Sequence, residues 1–111
     1  MDSTRQQKIG RQIQKDLGEI VQRTPSVTAG ALVTITRVNV TSDLSLARVN
    51  LSIFGGPDKE TVLNTIKEHK SELRYQLGQR IRNQVRIIPE LQFFIDDSLD
   101  VIERIDNLLK Q

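Results

Sequence analysis

Apolar and polar positions recur along this chain with two distinct periods. Between Pro57 and Val85, Val62, Ile66, Leu73, Leu77 and Ile81 return at intervals of three, four or their multiples, which lines them along one face of an α-helix. The rhythm weakens at Glu68-His69-Lys70-Ser71, and an interruption is expected there. Pro57, after Gly55-Gly56, suits the first helical position. An earlier amphipathic helix is marked by Ile9, Ile13, Leu17, Ile20 and Val21 and stops before Thr24-Pro25. Ser3 and Thr4, each followed three residues later by glutamine, are its capping candidates. Gly10 and Gly18 lie inside it, each costing about 1 kcal/mol against alanine, and close packing at these positions would offset that.

The other period is two. Ala47, Val49, Leu51 and Ile53 alternate with Arg48, Asn50 and Ser52, the pattern of a strand with one buried face. Leu32 to Val40 is rich in β-branched residues and reads as its hairpin partner, with Ser42-Asp43-Leu44-Ser45 as the turn. Its polarity changes along its length: Val33 and Ile35 share a face with Arg37 and Asn39. Residues 24–31 show turn chemistry without a period and read as a loop. Pro89 cannot donate to a ladder, so a third strand begins near Glu90, with Leu91, Phe93 and Ile95 inward. A long helical crossover before it predicts parallel pairing with the second strand. Asp97 or Ser98 caps a last short helix with Leu99, Ile102, Ile105 and Leu108 inward. The predicted class is α+β: a three-stranded sheet with helices packed mainly on one face, and a short helix at the C-terminal end.

Composition narrows the chemistry. At 111 residues the chain is one domain. It has no cysteine and a single histidine, His69, so disulfides, thiolate zinc sites and multi-histidine metal sites are excluded. The polar first residues and the lack of a long apolar run predict no signal peptide and no membrane span, hence a cytoplasmic protein.

Net charge is only +2, but it is polarised. Residues 1–23 hold five bases and three acids, 24–63 three of each, 64–88 six and two, and 89–111 two and six. The basic block coincides with the polar side of the long helical pattern, through Lys67, Lys70, Arg74, Arg80 and Arg82, with Arg86 just beyond. Lys8, Arg11 and Lys15, with Arg5, sit at three- and four-residue spacing on the first helix and either extend that surface or solvate the helix. A helix with one buried flank and cations on the other fits a phosphate backbone.

Catalytic constellations are absent. Gly55-Gly56 has neither the P-loop lysine nor dinucleotide-binding spacing. His69 reads as a kink or surface residue, and Asp96-Asp97 with Asp100 as a helix cap rather than a Mg²⁺ cluster. Aromatic residues are few, which argues against a stacking platform for single strands and for phosphate and shape recognition of folded RNA. Phe94 reads as packed beneath the final helix.

The order of elements resembles the type II KH domain, and particular residues resemble ribosome-binding factor A. They are Arg11-Gln12-Ile13-Gln14-Lys15-Asp16-Leu17; Asp43-Leu44-Ser45 with Ala47-Arg48-Val49; Leu73-Arg74, Leu77-Gly78 and Ile81-Arg82; and Pro89-Glu90-Leu91, Phe93 and Asp97-Ser98-Leu99. The resemblance spans nearly the whole chain. It departs from the family at His69-Lys70-Ser71, where Ala-x-Gly is usual, and at Thr24-Pro25-Ser26, where many members carry Asp-Pro-Arg. It implies a non-catalytic, monomeric bacterial or plastid assembly factor with no cofactor. Its partners would be the small (30S) ribosomal subunit and its 16S rRNA, with other assembly factors such as GTPases beside them, and its role would be in late rRNA maturation. The alternative is an interaction adaptor that docks its charged outer helices on a protein.

Overall fold

A computed structural model describes residues 4–96; the Ser3 cap and the final helix expected after Asp97 or Ser98 lie outside the described residues. Seven elements follow in order: α1 (Thr4–Gln22), α2 (Pro25–Thr28), β1 (Leu32–Val40), β2 (Leu46–Phe54), α3 (Lys59–Glu68), α4 (Lys70–Ile81) and β3 (Glu90–Ile95). The sheet order is β1-β2-β3, with β1 antiparallel to β2 and β2 parallel to β3. The helical seam is buried as the period requires: Val62, Leu63, Ile66, Leu73, Leu77 and Ile81 meet Ile13, Leu17, Ile20 and Val21 of α1 and Ala47, Val49, Leu51 and Leu91 of the sheet in one core.

The long helical pattern breaks at one residue, His69. Its backbone leaves helical geometry at φ −97°, ψ 13°, and its ring nitrogen Nδ1 lies 2.8 Å from the Thr65 carbonyl oxygen. The ring thus occupies a carbonyl in the last turn of α3 while the His69 carbonyl accepts the Leu73 amide of α4 at 2.9 Å. Pro57 precedes the helix rather than opening it. Asp58 is the N-cap, in extended conformation, and its Oδ1 accepts the Thr61 hydroxyl.

Two other expectations are corrected. The segment read as a loop contains the single turn α2, started at Pro25 and ended by Ala29 and Gly30 at φ 52° and 81°. One turn is too short to display a period. The changing polarity of β1 has a specific cause: the register slips between Ile35 and Arg37 in a β-bulge at Thr36. The extra residue re-phases the strand, so that Val33 and Ile35 before it and Val40 beyond it are all buried, while Arg37 turns out. The Thr36 hydroxyl lies 3.2 Å from the Asn50 carbonyl and 2.8 Å from Asp96 Oδ2, and this ties the bulge to the end of β3. Asp96 is thereby a strand-end partner.

Helix α1 lies along β1. The Thr41 amide donates to the Leu46 carbonyl at 3.0 Å, and antiparallel alternation then leaves the carbonyls of Val40 and Val38 pointing away from β2. Gln6 Nε2 donates to the Val40 carbonyl at 3.0 Å, and Gln14 Nε2 to those of Ile35 and Thr36 at 3.1 and 3.4 Å. Gly10, midway between these glutamines, faces the Val38 carbonyl so closely that a Cβ would lie 2.9 Å from its oxygen. The expected close packing therefore holds at Gly10 only; Gly18 has open space.

At the hairpin turn, Asp43 Oδ1 accepts the Thr41 hydroxyl at 2.7 Å and the Ser45 hydroxyl and amide at 2.8 and 3.1 Å. These bonds, led by that from Thr41, favour the charged carboxylate and lower its pKa from 3.8 to about 2.

Gly10→Ala should destabilise the protein by about 1–3 kcal/mol, because the helix must move off β1. Gly18→Ala should stabilise it by about 0.5–1 kcal/mol, and urea unfolding separates the two. Because the Asp43 pKa is depressed in the folded state, its contribution is present above pH 3.8 and is lost as pH falls toward about 2. The side-chain carboxyl carbon of Asp43 should titrate by NMR with its midpoint near the lower value.

Candidate nucleic-acid interface

The nine cations singled out in the sequence separate into distinct environments. Lys8, Arg11 and Lys15 are exposed on one side of α1, where the three- and four-residue spacing stacks them. Together with Arg5 and Gln12 they line a groove closed by Gln84 from the segment after α4, and no acid is among its lining residues. Among the described residues, no ion pair or hydrogen bond engages these three side chains.

Arg80 explains why that side of α1 is unopposed. Its Nη1 donates to Glu19 Oε2 at 2.5 Å and reaches Asp16 Oδ1 at 3.4 Å. Asp16 is buried, and its other oxygen accepts Gln12 Nε2 at 2.7 Å. The hydrogen bond to Glu19 is the main cause that holds the guanidinium pKa above its usual value, against a smaller opposing effect of burial. Both described acids of α1 are thus drawn toward α4. The cation expected on the RNA face instead clamps two helices together. Asp16 was the available signal: it falls between Ile13 and Ile20 along the apolar stripe, where a carboxylate needs a partner.

Arg74 is also engaged. Its Nη2 and Nε donate to the carbonyls of Ile88 at 2.7 Å and Pro89 at 3.1 Å, which pins the approach to β3 against α4. Lys70 Nζ stands 3.7 Å from Glu90 Oε1, an exposed pair of small energetic weight. Lys67 lies in the last turn of α3, Arg82 caps α4 and Arg86 follows it, all three exposed. Lys70, Arg74 and Arg82 line a second groove with Tyr75, above Gly78 and Ile88. Arg82 and Gln84 are neighbours but one in sequence, so the two grooves flank the C-terminal end of α4. Among the described residues no group of three or more histidine, cysteine or acidic side chains is placed to hold a metal, and no helix is long and apolar enough to cross a membrane.

This geometry belongs with a known set of proteins. The family model described as ribosome-binding factor A matches residues 5–109. Ribosome-binding factor A of Flavobacterium johnsoniae is 46% identical over 111 residues, covering 98% of this chain and 85% of the relative. The crystal structure of ribosome-binding factor A from Thermus thermophilus superposes with a TM-score of 0.71 at 22% identity, over 81% of this chain and 94% of the other. A homology model of the Thermus thermophilus factor, fitted into a cryo-EM map of a 30S–RbfA complex, superposes with a TM-score of 0.66 at 24% identity, over 79% and 91% of the two chains. At these identities the two structures establish likeness of fold.

Arg80→Gln should lower the urea midpoint, because it strands buried Asp16 beside Glu19. Arg82→Gln should leave the midpoint unchanged, and unfolding followed by circular dichroism checks both.

Proposed function

This chain belongs to the ribosome-binding factor A family, and from that premise we propose that it binds the small ribosomal subunit and supports late maturation of the 16S rRNA without catalysing a reaction. The observation that carries this reading is the α1 groove, where Lys8, Arg11 and Lys15 are exposed while Arg80 holds Asp16 and Glu19 away. Exposed cations on a rigid helix that no ion pair engages among the described residues attract phosphates readily, and their fixed spacing favours folded RNA over a flexible strand. Lys67, Lys70, Arg82 and Arg86 extend the cationic surface past α4. Arg74 and Arg80 serve it indirectly, as struts that fix β3 and α1 against the helix that carries the other charges. The protein acts as a monomer in the bacterial cytoplasm. The 30S complex formed by the Thermus thermophilus factor supports the choice of partner.

Purified protein should co-sediment with isolated small subunits and not with large subunits at moderate salt. Equal retention on both, washed off by salt, would reduce the surface to a generic polyanion binder. Converting Lys8, Arg11 and Lys15 to glutamine should flatten the dependence of log affinity on log salt by about 0.7–0.9 for each phosphate that is no longer neutralised. Arg80→Gln should not flatten it.

A further inference from the structure

We propose that the groove between α4 and the segment leading into β3 is a stacking site for a single unpaired RNA nucleotide, with Tyr75 against the base and Lys70 and Arg82 at its flanking phosphates. This inference rests on the RNA-binding reading and assigns a particular ligand to one part of that surface.

Tyr75 is 68% exposed, although it is a large ring in the middle of a well-packed helix. Lys70 and Arg82 line the same groove as the ring, and so does Glu90, whose exposed pair with Lys70 at 3.7 Å is weak enough for a phosphate to displace. Gly78, three residues on, carries no side chain that would fill the space beside it. A Cβ there would come 3.2 Å from Ile88 Cγ1, so the floor of the groove is the Gly78 backbone and the Ile88 side chain. Arg74 forms a fixed wall, because its guanidinium is held by the Ile88 and Pro89 carbonyls. Apolar floor, aromatic face and lining cations are what a base and its phosphates require.

The site is limited to one base. The other exposed aromatics, Phe54 and Phe94, lie on β2 and β3 rather than on α4. The sequence-based argument against an aromatic platform therefore stands, and a single stacking position is compatible with it. Charge favours a nucleotide over an acidic peptide only through the ring, which a carboxylate does not need. The two ligands are thus distinguishable by experiment.

Tyr75 is the chain's one tyrosine and there is no tryptophan, so intrinsic emission reports on this ring alone. The full chain is titrated with a short single-stranded adenylate oligonucleotide, with a blunt RNA hairpin and with a poly-glutamate peptide, following tyrosine emission and, separately, anisotropy of the labelled ligand. The single strand should quench emission saturably, with the midpoint that anisotropy gives, and the hairpin should bind without quenching. Tyr75→Ala should weaken the single strand by about 5- to 100-fold and leave both hairpin affinity and the salt slope unchanged; Tyr75→Phe should retain the affinity. Single-strand binding without quenching, equal loss for both RNAs in Tyr75→Ala, or quenching by the peptide alone would overturn the proposal. Retention on small subunits is scored independently. Tyr75-dependent oligonucleotide binding without subunit retention would keep the stacking site and remove the ribosomal reading, whereas retention with Tyr75-independent oligonucleotide binding would do the reverse. Failure to bind either RNA would overturn both.

Discussion

Parallel pairing of β2 with β3 is the constraint on which the rest of this structure depends. β2 ends at Phe54, while β3 must begin beside Leu46, so the intervening chain has to travel back along the sheet before it can pair. The register is held at both ends: the Glu90 amide donates to the Ser45 carbonyl at 2.9 Å and the Asp96 amide to the Leu51 carbonyl at 2.7 Å. A return path of that length with a buried flank is satisfied by helices, which close their own backbone hydrogen bonds. The basic residues of α3 and α4 ride on that return path, so their position is a consequence of sheet topology.

The charged groups divide by what they touch rather than by sign. Arg74 uses two nitrogens of its fork on two carbonyls, and Arg80 reaches two carboxylates from the single nitrogen Nη1. The two-nitrogen geometry of Arg74 suits guanidinium better than ammonium. The lysines and the remaining arginines of the surface make few internal bonds. By drawing Asp16 and Glu19 toward α4, Arg80 gives a helix of mixed composition one cationic side, a separation that net charge does not reveal.

Much of this arrangement was legible in the residues. β1 follows from its β-branched residues, β2 from alternation and the start of β3 from Pro89, the buried seam from its spacing, and the junction from the failure of that spacing at His69. The features that were hidden share a cause: each depends on a contact between distant segments. The bulge at Thr36 looks like indecision between two faces until Asn50 and Asp96 are placed beside it. Arg80 and Arg82 are equivalent by composition and differ only because α1 passes next to one of them. Gly10 and Gly18 read alike, and only the β1 backbone distinguishes them. Pro57 and Asp58 show the smaller uncertainty of a helix boundary, where either residue type is suitable.

The stripe Gln6, Gly10 and Gln14 also governs how this molecule meets copies of itself. β1 is an outer strand, and its outward carbonyls would otherwise form a nine-residue template for another strand. Side-chain amides occupy that template and the glycine brings the helix close enough to shield it. Protection against polymerisation is therefore vested in the docking of α1. A local opening that frees this one helix would expose the sticky edge together with the core face that Ile13 and Leu17 cover, so a sub-global opening rather than complete unfolding sets the tendency to self-associate.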